Sequence, residues 1–193
     1  YQGMDYYQLI ANSFQDTIET VAASVDTLAL PIEQSSAVMT EALLAGGKIV
    51  TVGLGGDAAM ATLLANVLLC NTEYERPALP ALALPTCGSL EATARQLRAL
   101  VQQTDVVVVF AISPCDLANV NTLLTAANDG NARTVLLSNL NLDLDEPAKS
   151  GTLVIGLGEL QHLRAVELAT MVSCALGTLI ENNLFGNFNE TNE

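Results

Sequence analysis

The chain is short of basic residues, of histidine and of charge in general. Its 193 residues contain no tryptophan, a single histidine (His162), and 7 Lys and Arg against 21 Asp and Glu, for a formal net charge of −14. Such a surface repels nucleic-acid phosphates, so we expect no direct contact with DNA or RNA. Because 50% of the residues are hydrophobic and only 15% are charged, one copy would leave apolar surface exposed, and we expect a homo-oligomer.

The chain also lacks a metal-binding pattern. Its four cysteines, Cys70, Cys87, Cys115 and Cys174, are widely spaced and form no CxxC pair. With one histidine available, a structural zinc cluster is not expected, and we predict neither a metal nor a cofactor. Cys70 and Cys174 lie in apolar helical stretches, where we expect buried free thiols.

The sequence contains no recognisable targeting or membrane segment. No basic and apolar signal peptide follows Met4, and Tyr1 to Gly3 resemble the remnant of a purification tag. The longest charge-free helical stretch, residues 58–72, is too short to cross a bilayer. We therefore expect one cytoplasmic domain over residues 4–188 that is not bound to a membrane.

What is present is a regular alternation of strand and helix patterns. Two N-terminal helices are expected, residues 5–28 and 31–46, separated at Pro31. Strand patterns then cover residues 48–53, 79–84, 105–113, 132–138 and 151–157, and helix patterns cover 57–70, 89–102, 115–128 and 159–184. This order predicts an α/β fold, a three-layer doubly wound sheet of five mainly parallel strands flanked by helices, with the N-terminal helices added.

The turn "GLGGDAA" (53–59) has the layout of an anion-binding loop. Gly53, Gly55 and Gly56 permit a tight turn before a helix whose N-terminus would attract an anion. The turn lacks the third glycine of a dinucleotide fingerprint and the GK[ST] of a P-loop. Asp57 follows the glycines, and we predict that it caps the helix and so occupies the place of the anion.

The turn "ISPCDLAN" (112–119) predicts a second loop of the same kind. Ser113 and Asn119 are its candidate ligand-binding residues, Asp116 is a candidate N-cap, and Pro114 is expected close to the first helical position. Both loops should face the crevice at the carboxyl ends of the strands. Like charges about 4 Å apart cost roughly 4 kcal/mol at an effective dielectric of about 20. We predict loops that keep the shape of phosphate cradles but hold phosphate weakly.

Two other polar features have plain structural interpretations. His162 stands just before the last helix pattern, where a solvent-side position is favoured over a catalytic one. The run "DLDE" (143–146) lacks the glycine and spacing of a calcium loop, so a capped, solvated helix start before Pro147 is expected.

The ordered set of motifs resembles the sugar isomerase (SIS) domain family, in its phosphoheptose-isomerase branch. The stretches that carry the resemblance are "LLAGGKIVTVGLGGDAA", "ERPALPALAL", "DVVVVFAIS", "RAVEL" and "LIENNLF". The chain is most similar to the subgroup that associates with the bacterial replication initiator DnaA. The resemblance implies the SIS fold, a sugar-phosphate ligand and a homotetramer.

The chain departs from the family's pattern in both ligand loops. The family's first loop reads GNGGS, and here Leu54 and Asp57 replace the asparagine and the phosphate-contacting serine. Of the second loop, STSGNS in the family, Ser113 and Asn119 remain. Around Cys87 the chain is also shorter than the resemblance implies.

The catalytic side chains of the family are replaced as well. Leu63, Asn66 and Val67 stand where the family carries a histidine and paired glutamates. On the last helix Arg164 and Glu167 persist, while Val166 and Ala169 replace a glutamine and a histidine. Glu167 is the one catalytic candidate, and a structural role beside Arg164 is the alternative. Aldose–ketose isomerisation needs a general base together with an acid or metal.

We therefore expect a non-catalytic SIS-domain protein that acts through protein–protein contact in replication initiation. The alternatives are a sedoheptulose 7-phosphate isomerase and a sensor for an uncharged or amino sugar, which would suit carboxylates in the loops. The expected partner site is Leu184 and Phe185 at the end of the last helix, surrounded by Glu181, Glu190 and Glu193.

Overall fold

The computed structural model describes residues 5–70, 75–85, 88–145 and 148–186. Its helices are α1 (Tyr6–Leu44), α2 (Ala58–Cys70), α3 (Leu90–Leu100), α4 (Leu117–Asp129) and α5 (His162–Phe185), with a 3-10 turn at Gly55–Asp57. Its strands are β1 (Ile49–Gly53), β2 (Ala81–Ala83), β3 (Val106–Ala111), β4 (Arg133–Ser138) and β5 (Thr152–Gly156). The strands form one sheet in the order β2-β1-β3-β4-β5, and every neighbouring pair is parallel. The predicted α/β fold is confirmed.

Strand β3 forms the centre of the molecule. Every residue of its run VVVVFA is buried, as expected for a parallel strand that is covered on both faces. Alternate side chains enter different cores: Val106, Val108 and Phe110 pack on one side, and Val107 and Val109 on the other.

Helices cover both faces of the sheet. The first core is completed by α1, α2 and α5, and its largest buried side chains include Met39, Leu64 and Leu68. The second core is completed by α3 and α4 through Leu97 and Leu123. The three-layer arrangement follows from this packing. The helix after β1, α2, and the helix after β3, α4, therefore lie on opposite faces of the sheet.

The predicted division of the N-terminal region at Pro31 is wrong. α1 is one helix of 39 residues with Pro31 inside it, about 58 Å long at 1.5 Å per residue. Proline removes one backbone N–H donor, but the following turns are held in place because Ser35, Met39 and Ala42 are buried against the body of the fold. Tertiary packing here outweighs the local cost of proline.

The amino-terminal part of α1 carries an exposed apolar stripe. No residue of this helix before Leu28 is buried. Ile10, Phe14 and Ile18 are each more than half exposed. This arrangement is consistent with the expected homo-oligomer, which stays a prediction.

Helix α5 is the one described helix that is long and apolar enough to cross a membrane. It packs against α1 and α2, and its buried face includes Leu168, Val172, Leu176 and Ile180. Its hydropathy therefore reflects its place in the core of the domain.

Candidate functional site

The order of the strands creates a crevice between β1 and β3. These neighbours end level with each other, with Gly53 opposite Phe110. The chain then leaves β1 toward α2 on one face and leaves β3 toward α4 on the other. Diverging loops at the carboxyl ends of parallel strands form the usual ligand crevice of an open α/β sheet.

A cavity of about 870 Å³ occupies this crevice. It brings together both loops that the sequence singled out, and it adds the start of α3. Its described lining residues are Gly53, Leu54, Gly55, Gly56, Gly88, Ser89, Leu90, Thr93, Ser113, Pro114, Cys115, Asp116, Asn119 and Leu123. All the predicted loop residues except Asp57 therefore line one cavity.

Close backbone packing fixes the shape of the glycine loop. A Cβ on Gly53 would collide with the backbone of Asp57 and Ala58, so this position requires glycine. Gly55 has a φ of 55°, a left-handed conformation that favours glycine. The Leu54 N–H donates to the Phe110 carbonyl at 3.2 Å, which ties the loop to β3.

The predicted capping role of Asp57 is wrong, because its carboxylate bonds to the loop after β3 instead of to its own helix. Oδ2 accepts the backbone N–H groups of Ile112 at 2.7 Å and of Ser113 at 2.9 Å. Oδ1 accepts the Ser113 hydroxyl at 2.6 Å. The 3-10 turn that starts at Gly55 places Asp57 over the neighbouring strand, where it is 3% exposed. Asp57 therefore joins the two loops without lining the cavity itself.

The loop after β3 also differs in detail from its prediction. Asp116 does occupy the N-cap position of α4, but its side chain makes no capping hydrogen bond and is exposed. Its backbone carbonyl accepts the N–H groups of Asn119 and Val120 instead. Pro114 lies two residues before the cap and not close to the first helical position.

Cys115 lines the cavity beside Asp116. Burial raises the pKa of its thiol, and the negative charges of Asp57 and Asp116 raise the pKa further. The thiol is therefore held in its neutral, weakly nucleophilic form.

The start of α3 is the part of the lining that the sequence reasoning missed. Ser89 caps this helix by accepting the Ala92 N–H at 3.2 Å. The Thr93 hydroxyl donates to the Ser89 carbonyl. A serine just before a helix pattern is a recognisable N-cap signal, but only the folded chain shows that it faces the other two loops.

The positions that carry catalytic groups in the resembled family are occupied by packing or surface residues. Val67 lies so close to α5 that a Cβ on Gly177 would contact it. Val166 packs against the first core, Ala169 is buried, and Asn66 is exposed.

Glu167 lies outside the cavity lining, in a contact between α5 and α1. Its carboxylate accepts the Thr17 hydroxyl at 2.8 Å and the Arg164 guanidinium at 2.8 Å. Arg164 also donates to the Ser13 carbonyl at 2.7 Å. This network corresponds to the structural alternative for Glu167. His162 is exposed at the first residue of α5.

Several smaller expectations need correction. Cys70 and Cys174 are exposed free thiols, not buried ones, because they lie on outer faces of α2 and α5. Residues 141–145 form no helix start, since Leu144 is buried in the second core and Asp145 accepts the Asn121 amide. Residues 146–147 and Cys87 lie outside the described ranges. Among the described residues, no group of three or more His, Cys, Asp or Glu could hold a metal ion.

The expected partner site is only partly at the surface. Phe185 is 40% exposed at the end of α5, while Leu184 packs against the first core. Gly186 follows with a φ of 83° and ends the helix. Glu181 is not a surface acid: it is buried, and it accepts Arg76 Nε at 2.6 Å. Glu190 and Glu193 lie beyond the described residues.

Comparison with known proteins shows the family. A family model for the SIS domain matches residues 13–138. The chain belongs to the SIS-domain family. This SIS protein is 35% identical over 146 residues to the phosphoheptose isomerase of Azoarcus sp. (strain BH72), an alignment that spans 70% of this chain and 74% of the relative.

Solved structures agree with the SIS fold. A phosphoheptose isomerase from Francisella tularensis aligns with a TM-score of 0.79 at 21% identity, over 93% of this chain and 100% of that chain. The phosphoheptose isomerase of Neisseria gonorrhoeae aligns with a TM-score of 0.74 at 23% identity, over 90% and 98% of the two chains. The predicted SIS fold is confirmed, and the narrower assignment to the initiator-associating subgroup stays a prediction.

Proposed function

We propose that this SIS protein binds a carbohydrate derivative in the cavity between the two loops and does not isomerise it. The observation that carries the proposal is the chemistry of the lining. Among the described residues there, the titratable side chains are Cys115 and Asp116. Aldose–ketose isomerisation needs a base paired with an acid or metal. The Cys115 thiol is held neutral and Asp116 is exposed, so this lining supports binding better than proton transfer.

A ligand screen by thermal shift tests the binding. A ligand at about a hundredfold excess over its Kd stabilises the folded state by about 2.7 kcal/mol, or roughly 5–10 °C for a chain of this size. Gly56→Leu is the control for location, because a Cβ at Gly56 meets no atom within 4 Å and so can add bulk beside the cavity without strain. The variant should melt near wild type and lose the ligand shift. A shift that survives in Gly56→Leu would contradict binding in this cavity.

A second candidate function is phosphoheptose isomerase. The 35% identity to a protein of that name favours it. An assay with sedoheptulose 7-phosphate, with and without zinc, separates the two. We expect no turnover in either condition, because Leu63, Val67, Val166 and Ala169 offer no acid or base.

Variants at Glu167 and His162 make the assay decisive. Turnover in the wild type that is abolished by Glu167→Ala or by His162→Ala would establish the isomerase and overturn the non-catalytic proposal. Residual turnover that is insensitive to both substitutions would point to a contaminating enzyme and leave the proposal standing.

The regulatory role extends the proposal to a protein partner. The resemblance to the initiator-associating subgroup supports DnaA as that partner, a homotetramer as the binding form, and the cytoplasm as the location. Phe185→Ala should weaken binding to the initiator several-fold, because exposed aromatic side chains are favoured anchors. Leu163→Ala, at a position 69% exposed near the other end of α5, is the matched control and should bind normally. Equal binding by both variants would exclude Phe185 from the partner site.

A further inference from the structure

The polar groups at the two strand ends indicate a narrower class of ligand. We infer that the cavity takes a carbohydrate without a phosphate group, and that Asp57 is the specificity-determining residue that excludes phosphate. The inference rests on the proposed carbohydrate binding and names the substrate class of that same site.

The first support is that the donors at the start of the second loop are already used. A phosphate in a strand-end loop is held by backbone N–H groups and hydroxyls. The first two N–H groups after β3, those of Ile112 and Ser113, donate to the Asp57 carboxylate, and so does the Ser113 hydroxyl. Because Asp57 is 3% exposed, a ligand reaches these donors only if the carboxylate is displaced.

The second support is the charge around the cavity. No Lys, Arg or His is present among the described residues that line it. Asp116 lines the cavity, and the buried Asp57 carboxylate bonds to Ser113, which also lines it. A phosphate would bring its negative charge toward two carboxylates without a compensating cation, which is unfavourable in a partly desolvated site.

The groups that remain suit hydroxyl and ammonium donors. Asp116 makes no side-chain capping bond to α4, so its carboxylate can accept from a ligand. The Asn119 side chain, also in the lining, can both donate and accept. Neutral sugars and amino sugars share this chemistry, and matched ligands can separate the two.

The wild-type test is calorimetric titration with matched pairs. The pairs are glucose and glucose 6-phosphate, glucosamine and glucosamine 6-phosphate, and sedoheptulose and sedoheptulose 7-phosphate. Inorganic phosphate is titrated separately. In any pair that binds, the unphosphorylated member should bind at least about tenfold more tightly, the scale of one lost charge-assisted hydrogen bond. A phosphorylated member that binds as tightly as its partner or more so overturns the inference and leaves the proposed function standing. If no member of any pair binds, the proposed function itself is overturned.

The variant test uses Asp57→Ser, with Asp105→Ser as its control. Asp105 is another buried aspartate that accepts backbone N–H groups, those of Lys48 and Gln102, but it lies at the opposite end of β3. Both substitutions remove a buried carboxylate, so both should lower the melting temperature. Only Asp57→Ser should strengthen the binding of inorganic phosphate or a sugar phosphate, by about tenfold or more. A folded Asp57→Ser without that gain, or an equal gain in Asp105→Ser, removes Asp57 as the determinant. If Asp57→Ser does not fold, the wild-type pairs decide the inference.

Discussion

Replacement of Glu181 by glutamine should destabilise the protein strongly, because it leaves a buried arginine without its counter-charge. The Arg76 and Glu181 side chains are 2% and 4% exposed, and their atoms approach to 2.6 Å. Loss of one partner of a buried ion pair typically costs about 3–5 kcal/mol. We expect the lower end, about 3 kcal/mol, since Arg76 keeps its hydrogen bonds to the Val67, Leu68 and Pro77 carbonyls.

The matched control is Glu41→Gln. The Arg133–Glu41 pair has the same 2.6 Å separation, but its side chains are 42% and 66% exposed. Exposed pairs contribute about 0–1 kcal/mol because water and salt screen them. Calorimetry should therefore give a melting temperature lowered by roughly 6–12 °C for Glu181→Gln and by no more than a few degrees for Glu41→Gln.

Equal loss of stability in the two variants would refute the reasoning, because the burial of an ion pair would then have no effect on its contribution to the free energy of unfolding. A melting temperature of Glu181→Gln within about 2 °C of wild type would also refute it, since that is less than about 1 kcal/mol for a chain of this size. Urea unfolding with an unchanged m-value would show that the loss is in the native contacts.

Two further predictions concern surfaces of the molecule. Phe14→Glu should leave the chain folded, because Phe14 is 69% exposed. It should lower the mass measured by light scattering, which we expect to be near four times 20.3 kDa for the wild type. Gln15→Glu adds the same charge at the next residue and should leave the mass unchanged; an unchanged mass in both variants would exclude the apolar stripe of α1 as an interface. Alkylation of Cys115 by iodoacetamide should need higher pH than a free thiol, because its raised pKa reduces the thiolate fraction at neutral pH. Asp116→Asn should shift this profile to lower pH, and an unshifted profile would contradict the electrostatic cause.

The layered fold could be predicted because its signals are local. A continuous β-branched run such as β3 is buried in any parallel sheet, and the alternation with helix patterns then leaves few topologies. The break predicted at Pro31 was wrong for a physical reason of longer range. The cost of the proline is local, whereas the stabilisation of the following turns comes from contacts of α1 with α5 and the sheet. These elements lie far from Pro31 in sequence, so a local sequence pattern does not show them.

The site could be predicted in its location but not in its contacts. Both loops follow strand patterns, so their meeting at one sheet edge follows from topology. The partners of Asp57 are 55 and 56 residues away in sequence, and helix-capping statistics point to its nearer neighbours instead. Glu181 was misassigned to the surface for the same reason, since its partner Arg76 is 105 residues away.

The shape of the cavity does not depend on catalytic side chains, because other residues determine it. Gly53 must remain glycine for the loop to pass Asp57, and the bond from Leu54 to the Phe110 carbonyl keeps the loop beside β3. Neither contact involves an acid or base that reacts with a ligand. Apolar residues such as Val67, at positions where the resembled family carries catalytic groups, are therefore compatible with an open crevice, and a chain 35% identical to a phosphoheptose isomerase has a cavity at these strand ends. We expect the ligand preference of this cavity to depend on the Asp57 carboxylate, which occupies the Ile112 and Ser113 N–H groups.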